Sequence, residues 1–373
     1  MKILFVSNTY FPYVGGVVQS ILTAKQALEK AGHTVILVSF NFTGKQNDDP
    51  TIILIEPLAR FSFNDNPYII PPLMLGRQIK NIIVNFKPDI VHIHHPFLLG
   101  PLAVKYARLC AIPVVFTYHS LYEQYAWSYA PIAHEYVKKI TIKMVQQFLQ
   151  SVNKVIAPTP SVRTLIKKQY DLKSNQIAII PSAIRDCFFT GTVKKESHVP
   201  FRLLTVSRFR AEKNLFTLLS LLKKVTVPFE YILAGYGDLQ EILQETIDRG
   251  FDYGKGRIII APDQQKLCTL YAESDLFIFT SKTETQGLVL AESMAAGTPV
   301  VAYASSGIRD CVVSGVNGYK VMGEKEFILR IEQLAQDKNL YTTMSQGALD
   351  TAQNYATGTM LIQLLALYQE LAG

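Results

Sequence analysis

Short apolar runs recur along this chain, separated by stretches whose apolar residues fall at helical spacing. The first run, over 2–6, reads as a buried strand. A loop with Gly15 and Gly16 follows, then a helix-length stretch over 17–30 that Gly32 closes, then a strand over 33–38. Further buried strands are predicted at 90–94 and 113–117. Strands alternating with helices imply a parallel sheet covered by helices on both faces. A second alternating series begins at 201–206 and continues through 231–234, 257–260 and 276–279, and the polar stretch 191–200 reads as an interdomain linker. The predicted class is therefore α/β. Two doubly wound Rossmann-like domains are expected, with ligands in an interdomain cleft at the carboxyl ends of the strands.

Composition narrows the function classes. A length of 373 residues fits two domains, and 49% hydrophobic residues suffice for two cores. The longest apolar runs are too short to span a bilayer, and the N-terminal run is too short for a signal peptide. Cys110, Cys187, Cys268 and Cys311 show no paired spacing and read as free thiols in a reducing, cytoplasmic setting. The net charge of +7 calls for an anionic partner. Zinc-finger spacing and aromatic-basic strands are missing, so a phosphate-bearing ligand or an anionic membrane surface is expected rather than nucleic acid. A helical pattern over 134–154 carries Lys138, Lys139, Lys143 and Lys154 among Tyr136, Ile140, Met144 and Phe148. It fits a basic helix lying on a bilayer, at the inner face of the membrane, or a core-packed helix with a solvated lysine face.

Candidate chemistry concentrates between Ser281 and Ala302. Glu284 and Glu292 flank seven residues, with Gly287 between them and Gly297-Thr298-Pro299-Val300-Val301-Ala302 behind. The order is strand, loop, helix N-terminus, which gathers backbone N–H groups and the positive end of a helix dipole. A carboxylate accepts two hydroxyl hydrogen bonds at once and so suits a sugar diol. Phosphate site and paired carboxylates together suggest a nucleotide-sugar. In Ser207-Arg208-Phe209-Arg210-Ala211-Glu212-Lys213-Asn214, a guanidinium and an ammonium five residues apart can hold a diphosphate. Gly235-Tyr236-Gly237 is a weak Gly-x-Gly, read as structural. His92-Ile93-His94-His95 puts two histidines on one face of a strand and one on the other, without a ligand partner at metal spacing.

The Glu284–Glu292 segment resembles the Glu-(seven residues)-Glu signature of retaining, nucleotide-sugar-dependent glycosyltransferases with the two-Rossmann GT-B architecture, of the family 4 type. The resemblance covers nearly the whole chain. It implies that Arg208 and Lys213 hold the donor diphosphate, with Ser207 where glycine is usual, and that Glu292 holds the ribose. It implies that Glu284 holds the hexose, helped by Thr285, Gln286, Gly287 and Leu288, and that Gly16 lies near the donor phosphates. His119 is implied to lie beside the reacting sugar carbon, and His95 and Tyr122 to serve the acceptor. The run Tyr118-His119-Ser120-Leu121-Tyr122-Glu123-Gln124-Tyr125 and the Thr283-to-Gly287 loop are similar to those of bacterial lipid glucosyltransferases that glycosylate diacylglycerol.

The expectation is hexose transfer from a nucleoside diphosphate sugar, UDP-glucose first, to a membrane lipid, diacylglycerol first, without a metal or other cofactor. Transfer to a soluble sugar or polysaccharide, a non-catalytic nucleotide-sugar-binding protein, and an epimerase of similar fold are the rival readings. The two alternating series put domains at 1–190 and 191–356, and the resemblance implies a C-terminal helix at about 357–373 packing back on the first. Ala183-Ile184-Arg185 departs from the family's Gly-Ile/Val-Asp turn.

Overall fold

The computed structural model describes residues 1–11, 15–45, 47–63, 66–122, 134–194, 196–281 and 284–373. Its strands are β1 (Lys2–Val6), β2 (Thr34–Phe40), β3 (Ile52–Ile55), β4 (Ala59–Phe63), β5 (Asn66–Ile70), β6 (Ile90–Ile93), β7 (Val114–Thr117), β8 (Lys154–Ala157), β9 (Ile177–Ile179), β10 (Phe201–Arg208), β11 (Phe229–Tyr236), β12 (Gly254–Ile260), β13 (Leu276–Phe279), β14 (Val300–Tyr303) and β15 (Gly318–Val321). The chain divides into two compact units, Met1–Ala183 with Met360–Gly373, and Ile184–Thr359.

The first unit carries a seven-stranded parallel sheet in the order β3-β2-β1-β6-β7-β8-β9. Central β1 is covered on both faces, and Ile3, Leu4, Phe5 and Val6 are all buried. This explains its unbroken apolar run. The helix Gly16–Lys30 follows, and Gly32 adopts a left-handed φ of 85° just beyond it. The helical pattern at 134–154 is only partly realised. The helix is His134–Leu149, and Lys154 opens β8 beside β7. β4 and β5 form an antiparallel hairpin that the sequence pattern did not show. The C-terminal helix Thr357–Ala372 places Met360, Leu364, Leu367 and Tyr368 in this unit's core, at one helical face.

The second unit carries a six-stranded parallel sheet in the order β12-β11-β10-β13-β14-β15. Both sheets reverse direction of growth beside their first strand, at β1/β6 and at β10/β13. Such a switch point leaves a crevice at the carboxyl ends of the strands.

Two boundary expectations are corrected. Residues 184–190 join the second unit, because Ile184 and Phe188 are buried in its core. The polar stretch 191–200 is a strap on this unit rather than an open linker. Lys194 Nζ donates to the carbonyl oxygens of Ala272 (2.9 Å) and Ser274 and to Thr298 Oγ1 (2.6 Å). The buried Asp275 carboxylate accepts from the backbone N–H of His198 (3.1 Å) and Arg202 (2.8 Å). A polar composition reads as linker from sequence, yet here its charges cap the amino ends of the sheet.

Candidate functional site

In the second unit, the loop after β10 and the loop after β13 are locked together. Asn214 sits at φ 57° at the start of the helix Leu215–Leu222, and Thr280 Oγ1 donates to its carbonyl at 3.0 Å. Lys213 Nζ pairs with Glu284 Oε1 at 2.5 Å, and both side chains are largely buried. Sequence reasoning gave these residues separate roles, and the structure makes them one ion pair. Arg208, the last residue of β10, makes a loose 3.7 Å contact with Glu212 and stays 43% exposed. Its place is set by the Gly-x-Gly turn. A Cβ on Gly235, in β11, would stand 1.8 Å from the carbonyl of Ser207, and one on Gly237 would stand 2.5 Å from the carbonyl of Phe209, so both glycines pack backbone to backbone on either side of Arg208.

Glu284, Thr285, Gln286 and Gly287 lead into the helix Leu288–Ala295, with Gly287 at φ 72° as its cap. Lys282 and Thr283 lie outside the described residues. Sequence reasoning missed Gly307. Its N–H donates to the carbonyl of Glu284 at 2.9 Å, and a Cβ there would fall 2.5 Å from the carbonyl carbon of Thr285. Only glycine lets the start of the helix Ser306–Cys311, which follows β14, support the Glu284 loop this closely. Two serine hydroxyls near these loops, on Ser281 and Ser305, are buried with no described hydrogen-bond partner.

Glu292 lies in the second turn of that helix. Tyr271, on the helix Gln264–Glu273, donates its hydroxyl to Glu292 Oε2 at 2.8 Å. Burial pushes the Glu292 carboxyl up to about 7, against the downward pull of the Tyr271 hydrogen bond and the nearby Arg185. Tyr271 looked like an ordinary core aromatic in the sequence. Arg185, the odd residue of the departing turn, donates to Gln264 Oε1 at 2.5 Å and stacks on Phe188.

In the first unit, the carboxyl ends of β1, β6 and β7 gather histidines. His95 Nδ1 accepts from the Asn8 N–H at 3.3 Å, which leaves Nε2 to donate to Thr9 Oγ1 at 3.4 Å. His119 Nε2 meets His94 Nδ1 at 3.0 Å, with the rings stacked. His92 shares the strand face of His94, as its alternation predicts. It is held between Tyr368 (2.6 Å) and Thr117 (2.7 Å). Burial lowers all four, His92 and His119 to about 3 and His95 to about 4, so each ring is neutral near pH 7. A cavity of about 30 Å³, room for one water, lies against His92, His94, His119, Ser20, Thr117 and Ser182. His94 Nε2 has no described partner.

Tyr122 packs edge-on against Phe97 and Tyr118, at the rim of the core. The rest of its motif, Glu123 to Tyr125, lies outside the described residues. Gly15 is extended (φ −137°) as the cap of the helix that Gly16 opens. Among the described residues no group of three or more His, Cys, Asp or Glu could hold a metal ion.

The model of Glycosyltransferase Family 4 matches residues 14–186, and that of Glycosyl transferases group 1 matches 192–350. An alpha-monoglucosyldiacylglycerol synthase of Streptococcus pneumoniae is 31% identical over 386 residues, covering 95% of this chain and 83% of that one. The synthase of the same name from Acholeplasma laidlawii is 24% identical, covering 100% and 97%. Among solved structures, Anabaena HepE in complex with UDP and glucose superposes with a TM-score of 0.76 at 17% identity, covering 99% of this chain and 100% of that one. Sucrose-phosphate synthase from Thermosynechococcus elongatus gives 0.78 at 19%, covering 99% and 98%. At such identities these likenesses concern the fold.

The raised Glu292 carboxyl has a consequence for stability. The folded state keeps a proton that the unfolded chain loses above the ordinary carboxyl range. Stability should therefore fall as pH rises from about 4.5 to about 7. Glu292→Gln should remove that fall and leave the variant more stable than the parent at pH 8 by roughly 1–2 kcal/mol, a value reduced for the part of the side chain that meets water. Urea midpoints at pH 4.5 and pH 8 measure this. Parallel pH dependence in the two proteins would show that Glu292 ionises normally.

Proposed function

This chain belongs to the family 4 glycosyltransferases of the GT-B type, with a group 1 glycosyltransferase unit in its second half, and on that premise we propose that it moves glucose from UDP-glucose to a lipid, diacylglycerol first, with retention and without a metal ion. The observation that carries the lipid reading is the solvent face of the helix His134–Leu149. Tyr136, Ile140 and Met144 are exposed on one stripe, interleaved with exposed Lys139 and Lys143. The helix packs on the core through Val145, Phe148 and Leu149, and its outer face sets apolar side chains among lysines. Apolar residues among lysines suit an interface between acyl chains and anionic headgroups. No described helix is long and apolar enough to cross a membrane. The two relatives named as glucosyldiacylglycerol synthases point the same way.

The donor side follows from the locked loops. Arg208 offers its fork to the diphosphate, and Lys213 reaches the same charge while it holds Glu284 in place for the hexose hydroxyls. Glu292 takes the ribose hydroxyls. As the bond from the anomeric carbon to the phosphate oxygen breaks, negative charge grows on the diphosphate. Two fixed cations stabilise it there. In front-face transfer the acceptor oxygen bonds to the anomeric carbon on the side the phosphate leaves, and the leaving phosphate oxygen takes the acceptor proton. His119 is neutral, so its part is to offer a hydrogen bond to a hydroxyl rather than a proton. The structure of HepE with UDP and glucose supports a donor of this kind.

Calorimetry should show that Arg208→Ala weakens UDP binding by about 1.5–3 kcal/mol, the scale of a charged hydrogen bond. Unchanged binding would take Arg208 out of the site. Turnover should persist in EDTA, and loss of turnover that magnesium or manganese restores would refute the metal-free reading. Binding to anionic vesicles should weaken as salt rises. It should weaken further when Lys138, Lys139 and Lys143 become glutamate, at roughly 1 kcal/mol per lysine near the surface, with UDP affinity unchanged. Equal binding to neutral and anionic vesicles would defeat the lipid-surface assignment.

A further inference from the structure

Two of the four cysteines, expected to be scattered, meet beside Glu292. Cys187 lies in the short turn Asp186–Phe188, and Cys268 lies on the helix Gln264–Glu273. The Cys268 thiol donates to Cys187 Sγ at 2.9 Å, and Gln264 Nε2 donates to the same sulfur at 2.9 Å. Cys187 is half-buried and Cys268 is buried. Gln264, Cys268 and Tyr271 fall at i, i+4 and i+7 on one helical face. Their partners are Arg185, Cys187 and Glu292. The thiol pair is thus the middle contact of a three-contact seam, and the seam ends on the nucleotide's carboxylate.

We propose that Cys187 and Cys268 form a redox-modification site, closed to a disulfide by a low-molecular-weight disulfide, and that closure loosens the hold of Glu292 on the donor ribose. The second half rests on the donor assignment above. Cys187, the less buried of the two, gives its proton to solvent and attacks first. Its thiolate breaks the S–S bond of the reagent RSSR, forming Cys187–SR and releasing RS⁻, which takes up a proton. Cys268 then gives its proton to solvent and displaces the second RS⁻ from Cys187. Two protein thiols are oxidised to one disulfide, and RSSR is reduced to two RSH. Burial pushes the Cys268 thiol up to about 12, which suits it to the second, intramolecular step rather than the first.

Bonding would bring the sulfurs about 0.9 Å closer than they stand, to an S–S distance near 2.05 Å. The turn at 186–188 and the helix at 264–273 must shift to allow it. Tyr271 and Arg185, which border Glu292, ride on those two segments. Coupling is reciprocal: a disulfide that weakens the donor is itself disfavoured by bound donor to the same degree.

The test uses the full chain with Cys110→Ser, which removes the exposed thiol of the first unit. The protein is equilibrated with oxidised glutathione or with dithiothreitol, mapped by peptide mass, and titrated with UDP. A peptide joining Cys187 to Cys268, UDP affinity about tenfold lower in the oxidised form, and recovery with dithiothreitol are expected. Cys187→Ser should keep one affinity at either redox poise. Glutathione trapped on Cys187 with no linked peptide would overturn the site, and a linked peptide with unchanged UDP affinity would overturn the coupling. If the reduced protein binds no UDP, the donor assignment fails, while the peptide map still decides the disulfide.

Discussion

The parallel pairing of β10 with β13 is the constraint on which the proposed donor side depends. Leu203 pairs with Leu276 and Leu204 with Phe277, although more than seventy residues separate them. That register delivers the loop with Arg208 and Lys213 to the loop with Glu284. Everything else there trims the same approach. Gly235 lets β11 press on Ser207, Gly307 lets the helix Ser306–Cys311 press on Thr285, and Thr280 ties the two loops below the ion pair. A partly buried pair such as Lys213–Glu284 is costly to break from one side, because the surviving charge is left without its partner. The pair is therefore a positioning device, which fixes both side chains for the donor role proposed above.

The first unit solves a different problem, which is to keep histidines neutral. Burial makes a charged imidazole unfavourable, and four rings close together make it more so. His94 and His119 can share their hydrogen bond only if one ring donates and the other accepts, so the tautomer of each depends on its neighbour. The C-terminal helix takes part, because Tyr368 hydrogen-bonds His92 behind the array. A neutral ring at His119 can orient hydroxyls, but it does not supply a proton as a cation would.

Much of this was legible in the sequence, for physical reasons. Strands buried on both faces are mostly apolar, so β1, β6, β7, β10 and β13 were readable, as was the helix that Gly32 ends. The hairpin of β4 and β5 carries no such run and was missed. The break at Leu149 was hidden because β8 continues the apolar pattern of the helix before it. Long-range pairings leave no local trace. Lys213 with Glu284, Tyr271 with Glu292 and Cys187 with Cys268 each depend on the register of distant strands and helices. The strap at 191–200 misled because a polar segment looks alike whether its charges meet water or buried carbonyls.

The central claim is a retained glucosyl transfer to a lipid, and the product decides it most directly. The protein should be incubated with UDP-glucose carrying carbon-13 in the hexose and with vesicles containing diacylglycerol, and the extracted lipid examined by NMR at the anomeric position. UDP-glucose is an α-glycoside, so retention should give an α-linked glucosyl lipid. A β-linked product would contradict front-face transfer. Label confined to free glucose or to a soluble saccharide would contradict the lipid acceptor.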